Sequence, residues 1–143
     1  MPTVAVDFDQ VIHTYDKGWQ DGSIYGEFVP GAVMALSWLM QHYAVFIHTS
    51  RKPRPVARWI EDRSGHGIEC TTHVPRKGFW NERGYLLVTR RKLPAVAYID
   101  DRAIRFSSWD QALADLQGKP AEPESAFEHI ISAIRAAQTR GSA

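Results

Sequence analysis

Residues 3–9 read TVAVDFD and residues 95–101 read AVAYIDD. Each is a short apolar, β-rich run that ends in carboxylates. Thr3 to Phe8 suits a buried parallel strand with Asp7 at its C-terminal end. Ala95 to Ile99 reads as a second such strand, the fourth of the core in chain order, ending in Asp100 and Asp101. Between them, Tyr43 to Thr49 (YAVFIHT) is another strand candidate and Ile68 to Val74 a third, nearer the sheet edge. Pro30 sits like a first-turn proline ahead of Val33, Leu36, Leu39 and Met40, whose spacing predicts a helix ending near Gln41. Pro53 and Pro55 open a helix through Val56, Trp59 and Ile60 that Gly65 and Gly67 stop. Alternation of this kind predicts an α/β fold: a Rossmann-like three-layer sandwich with a mainly parallel central sheet and helices on both faces. Ligands of such sheets bind beyond the C-terminal strand ends, where both acidic pairs then lie.

The remaining chain fills in around this frame. Val11 to Gly26, with Gly18, Gly22 and Gly26 among Tyr and Trp, reads as a loop or hairpin. Residues 75–92 read as a surface insertion with one strand at Tyr85 to Val88. Ser108 with Gln111 three residues on forms a capping-box pattern for a helix to about Leu116. Phe127, Ile130, Ile131 and Ile134 mark a last amphipathic helix, and residues 141–143 a frayed end. The 143 residues, 44% of them apolar, fit one domain spanning 1–143 with a single core. Seventeen basic and sixteen acidic residues nearly cancel, so global charge selects no polyanionic partner. The single cysteine, Cys70, points to a reducing compartment. No apolar run approaches a bilayer span and no basic leader precedes the first strand, so the expected location is cytoplasmic, with no membrane partner.

The acids carry the chemistry. Asp7 and Asp9 are two apart in an extended segment and so point the same way. Four carboxylates at neighbouring strand ends repel unless a cation sits among them, and oxygen ligands in that number suit Mg²⁺. The competing reading of Asp7 and Asp9 is a simple turn cap.

The motifs VAVDFDQVI around Asp7 and Asp9, VFIHTS ending at Thr49 and Ser50, Lys92, and VAYIDD ending at Asp101 resemble the haloacid dehalogenase superfamily of phosphatases over roughly residues 3–105. They look most like its small, capless bacterial and phage members, in which a GW-containing loop follows the first motif. The resemblance implies an Mg²⁺-dependent phosphomonoesterase. In that scheme Asp7 attacks phosphorus to form an aspartyl-phosphate, and Asp9 protonates the leaving oxygen and then activates water. Thr49 binds a phosphoryl oxygen, with adjacent Ser50 the alternative. Lys92 offsets charge on Asp7 and the phosphoryl group. Asp7, the backbone carbonyl of Asp9, Asp100 and Asp101 hold the metal, Asp101 directly or through water. Lys92 stands only eight residues before Asp100, closer than in most of the family, and Lys77 is the second candidate for its role.

Neither interval between motifs has room for a full cap domain, so an open site is expected. Trp19, Tyr15 and Tyr25 follow the nucleophile and are suited either to stack on a substrate ring or to pack the loop. His13 and His48 flank the motifs and read as structural. Arg76, Lys77, Arg83, Arg90, Arg91 and Lys92 stand against Glu82 in residues 76–92, a segment suited to nucleotide phosphates or nucleic acid, or simply to a solvated face. Arg51, Lys52 and Arg54 add to an anion-attracting rim, and Ser50, Arg51 and Trp19 are the expected substrate contacts. The expected partner is a phosphorylated small molecule or nucleotide, with nucleic-acid ends a further option. Two other readings are a catalytically idle phosphate- or nucleic-acid-binding module on the same fold, and phosphoryl transfer to an acceptor other than water.

Overall fold

The computed structural model describes residues 2–118. Its elements are β1 (Thr3–Asp7), α1 (Ala32–His42), β2 (Ala44–His48), α2 (Pro53–Arg63), β3 (Cys70–Thr71), β4 (Leu86–Thr89), β5 (Ala97–Ile99) and α3 (Trp109–Gln117). The five strands form one sheet in the order β3-β4-β2-β1-β5, and every pairing is parallel. This is an α/β fold of the Rossmann-like kind, a parallel sheet flanked by helices. Because all strands run the same way, their C-terminal tips share one end of the sheet. Among the described residues, α1 and a loop lie between β1 and β2, and α2, β3 and β4 lie between β2 and β5.

Side-chain alternation sorts the core into two clusters. Val4, Val6, Val45, Ile47, Leu86 and Val88 point to one face, where Leu36 of α1 and Val56, Trp59 and Ile60 of α2 cover them. Ala5, Phe46 and Leu87 point to the other, under Trp80 and Leu93. Burial on both faces explains why β1, β2 and β4 read as continuous apolar runs. α2 follows its pattern closely, starting at Pro53 and ending at Ser64 before Gly65, whose φ of 63° ends the helix. α1 starts later than expected. Gly31, with φ of 85°, is its N-cap, and Pro30 lies outside the helix as part of the turn into it.

Two expectations are corrected. The strand expected at Tyr85 to Val88 is β4, and it is not part of a surface insertion: it is fully buried and lies between β3 and β2. β3 is only two residues long and occupies the edge, so the chain returns to place Leu86–Thr89 inside. The strand at 97–99 is not a core strand: among the described residues it pairs with β1 alone, at the edge, with all three residues exposed.

The chain separates into two compact units, Met1–Arg102 and Ala103–Ala143. In the second, Ser108 is the N-cap of α3 and its hydroxyl accepts from the Gln111 N–H at 3.2 Å, the contact that the capping pattern predicts. The helix expected at Phe127–Ile134 and the end at 141–143 lie outside the described residues. Among the described residues no helix is long and apolar enough to cross a membrane.

Candidate active site

Asp7 ends β1 and Asp100 and Asp101 follow β5, its neighbour in the sheet. One carboxylate oxygen from each of Asp7, Asp100 and Asp101 lies within 4.8 Å of the others. Asp7 is partly buried, while the other two are exposed. Burial chiefly, and then the charges of Asp100, Asp101 and Asp9, push its pKa up to about 6, against the opposing hydrogen bond from the Phe8 N–H to Oδ1 at 2.7 Å. This donor set of hard oxygens suits a divalent cation such as Mg²⁺, which would relieve that repulsion.

Asp9 is treated differently. It lies outside that cluster and has a partner on each oxygen. Oδ1 meets His13 Nδ1 at 2.9 Å, and Oδ2 accepts from Arg51 Nε at 2.8 Å. His13 is fully buried, stacked on Phe8 and edged by Tyr25 and Trp59. The Gly26 N–H points at its Nε2 at 2.8 Å, which makes Nε2 the acceptor and puts the ring hydrogen on Nδ1, facing Asp9. Gly26 must be glycine for this approach: a Cβ there would lie 2.2 Å from Thr14 Oγ1 and 2.8 Å from His13 Nε2.

The backbone builds the same turn. The Phe8 carbonyl accepts from the N–H groups of Val11, Ile12 and His13, and Gln10 takes a φ of 72°. A non-glycine residue in that region is strained, and the surrounding hydrogen bonds hold it there. Arg51 is buried, donates to the Gly22 carbonyl at 2.9 Å, and lies over the rings of Tyr15 and Trp19 at 5.6 and 5.5 Å. The loop from 10 to 26 is thus organised around one carboxylate.

Thr49 and Thr89, both buried, end neighbouring strands and are alike in detail. Thr49 Oγ1 accepts from the Arg51 N–H at 3.1 Å, and Thr89 Oγ1 from the Arg91 N–H at 3.0 Å. Each hydroxyl keeps its own hydrogen to donate. Asp7, His48 and Thr89 are register partners across β1, β2 and β4 and so share one face of the sheet. Ser50 is exposed beside Thr49.

Lys92 forms no ion pair with Asp7; its Nζ lies 5.2 Å over the Tyr98 ring, and Tyr98 donates its hydroxyl hydrogen to the Leu93 carbonyl. Tyr98 is the register partner of Ala5, two residues before Asp7 on the same face. The packing therefore carries Lys92 to the strand pair and face that hold the acids. Lys77 is engaged elsewhere, with Asn81 at 2.7 Å and the Phe79 ring. The basic residues of 76–92 do not form one row. Arg90, Arg91 and Lys92 follow β4 at the acidic end of the sheet, while Arg83 precedes the strand at the opposite end.

His13 is the buried structural histidine that its sequence reading favours, and its contact with Asp9 is the added finding. Sequence reasoning missed one participant. Thr89 was passed over, although Thr-Arg-Arg at 89–91 repeats the strand-end pattern of Thr-Ser-Arg at 49–51.

A solved structure of a conserved protein coded by a locus from Bacteroides thetaiotaomicron is similar to this chain: it is 27% identical, the match covers 84% of this chain and 93% of that one, and the TM-score is 0.46. No protein-family model matches the chain, and no curated protein matches it.

Proposed function

We propose that the protein is a magnesium-dependent phosphomonoesterase of the haloacid dehalogenase type, with Asp7 as nucleophile. The observation that carries this reading is the gathering of Asp7, Asp100 and Asp101 at adjacent strand tips, with burial and the neighbouring acids raising the pKa of Asp7. Those three residues would hold Mg²⁺. The ion, when bound, supplies charge neutralisation between a carboxylate nucleophile and a phosphate dianion.

This chain's own residues account for the rest. An Asp7 oxygen forms a bond to phosphorus as the bond from phosphorus to the leaving oxygen breaks, and Asp9, having taken up a proton from solvent on Oδ2, gives that proton to the leaving oxygen. Asp9 then takes a proton from water as the water oxygen attacks phosphorus, which releases phosphate and restores Asp7. For the first step Arg51 must loosen its hold on Asp9 Oδ2, while His13 keeps the carboxylate in place through Oδ1. Thr49 and Thr89, whose hydroxyls keep a hydrogen to donate, would bind phosphoryl oxygens, and Lys92 would offset their charge. Arg51 and Lys52 after β2, with Arg90 and Arg91 after β4, favour the approach of an anion to this end of the sheet. A cytoplasmic setting and a phosphorylated small molecule or nucleotide as substrate belong to the same proposal.

The test is release of phosphate from para-nitrophenyl phosphate. Hydrolysis that requires Mg²⁺, stops with EDTA and disappears in Asp7→Asn supports the reading. Hydrolysis that survives Asp7→Asn refutes it. A protein that binds phosphate but never releases it from a broad panel of esters is an idle binding module instead.

A further inference from the structure

We propose that the hollow between residues 19–24 and the start of α2 receives the leaving group of the phosphomonoester, and that this leaving group is a nucleoside; the assignment rests on the phosphatase reading above. The hollow has a volume of about 310 Å³ and is bounded by Trp19, Asp21, Ile24, Arg51, Pro55 and Val56, among others. Its position follows from Arg51, which lines it and also donates to Asp9 Oδ2 at 2.8 Å. A group leaving phosphorus next to Asp9 would leave on the side where Arg51 borders this space.

The lining selects the chemistry. Trp19 is 65% exposed, yet its indole is braced from two sides. Arg51 lies 5.5 Å from the ring centroid. Gly22, with φ of 91°, backs the ring so closely that a Cβ there would be 3.3 Å from it. An exposed but fixed indole is a stacking platform for a planar heterocycle. Ile24, Pro55 and Val56 give that heterocycle an apolar wall.

Asp21 adds an acceptor. One of its oxygens takes the Ser23 N–H at 3.0 Å, and the carboxylate has acceptor capacity left for a sugar hydroxyl or an exocyclic amine. A glycerol phosphate makes no use of the indole, and a purely apolar alcohol makes no use of Asp21. The volume lies at the small end of ligand pockets, the size of one nucleoside. Beyond Trp19 a second, more open hollow of about 540 Å³, lined by Lys17, Gln20, Ser23 and Tyr25 among others, offers room where a following nucleotide of a polynucleotide end would lie. The shared chemistry is therefore a nucleoside, whether from a free nucleotide or from an oligonucleotide terminus.

Two measurements test the assignment. The first is titration of adenosine, which carries no phosphorus, followed by calorimetry on the wild type, Trp19→Ala and Asp21→Asn. Saturable binding that weakens tenfold or more in Trp19→Ala and also weakens in Asp21→Asn is expected. The second is the ratio of kcat/KM for adenosine 5′-monophosphate to that for glycerol 2-phosphate with Mg²⁺, which should fall at least tenfold in Trp19→Ala. Trp19 is exposed, so the variant should keep the wild-type melting temperature, which is checked alongside. Mononucleotides and 5′- or 3′-phosphorylated tetranucleotides, run in parallel, separate the two sources of nucleoside. Absence of adenosine binding, or equal binding by Trp19→Ala, overturns the assignment, as does an unchanged ratio. Adenosine binding through Trp19 without phosphate release keeps the hollow and removes the phosphatase. Hydrolysis of glycerol 2-phosphate without adenosine binding does the reverse.

Discussion

Replacing Asp7 by asparagine should make the metal-free protein more stable at neutral pH. Asparagine keeps an oxygen to accept from the Phe8 N–H but carries no charge into the cluster with Asp100 and Asp101. The Asp7 carboxyl has a pKa raised from 3.8 to about 6 in the fold. A raised carboxyl pKa means that the folded state holds its proton longer than the unfolded chain. Below pH 3.8 both states are protonated and the group costs nothing. As pH rises from 3.8 to about 6 the unfolded chain ionises first and folding loses stability; above about 6 the full penalty remains. At about 1.4 kcal/mol per pH unit the full shift corresponds to roughly 3 kcal/mol. Asp7 is partly open to water, and solvent screening reduces this to about 1–2 kcal/mol. For a unit of this size that is a melting temperature about 5–15 °C higher in Asp7→Asn. The assay is thermal unfolding by circular dichroism in EDTA at pH 8 and at pH 4. The gap should be present at pH 8 and nearly absent at pH 4. Mg²⁺ at pH 8 should raise the wild type and leave Asp7→Asn where it was, in proportion to the free ion over its dissociation constant. An Asp7→Asn variant that melts at or below the wild type at pH 8 in EDTA would refute the account of an uncompensated carboxylate.

Other residues give sharper tests of single contacts. Gly26→Ala forces a methyl to within 2.2 Å of Thr14 Oγ1 and should cost about 1–3 kcal/mol in a denaturant titration. His13→Ala empties a buried site and strands Asp9 Oδ1, costing about 2–4 kcal/mol; it should also slow hydrolysis of alkyl phosphates far more than that of dinitrophenyl phosphate, whose leaving group needs no proton. Lys92→Ala should lower kcat on para-nitrophenyl phosphate about 10²-fold or more while thermal unfolding changes by less than about 1 kcal/mol, since its side chain is exposed. Leu87→Ala should cost about 2–5 kcal/mol by chemical denaturation, a value expected of an interior strand and not of a surface insertion.

The parts of the fold that were legible in the sequence are those where local pattern and burial agree. β1 and β2 are apolar on both faces because both faces are covered, and α2 is framed by Pro53 and Gly65. β4 was harder because its place depends on strands distant in the chain, not on its own residues. A short run such as Leu86–Thr89 reads the same at an edge or in the interior, and only the two-residue length of β3 leaves the interior position to it. β5 misled for the opposite reason: Ala97, Tyr98 and Ile99 look like core, yet among the described residues pair on one side only. At the site, Asp7, Asp100 and Asp101 were legible because strand ends converge in a parallel sheet. The contacts of Asp9 were not, since they depend on a loop that brings Gly26 and Arg51 from distant positions in the chain.

The contrast between Asp7 and Asp9 is the most informative physical feature of this site. Two carboxylates two residues apart have been given opposite surroundings. Asp7 has one backbone donor and faces two further acids, so among the described residues no cation balances its charge. Asp9 has an imidazole on one oxygen and a guanidinium on the other, both carried on side chains that are themselves buried and braced. If the acids were only turn caps, neither arrangement would be needed: a cap is satisfied by one or two backbone N–H groups, and neighbouring acids would be a cost without return. A nucleophile that works beside a bound cation needs the first environment, because the cation supplies the missing balance. In the proposed reaction Asp9 uses the second, with His13 keeping it in place through Oδ1 while Arg51 moves off Oδ2 to free that oxygen for a proton. Separate environments for paired carboxylates are the pattern by which one fold assigns them separate roles.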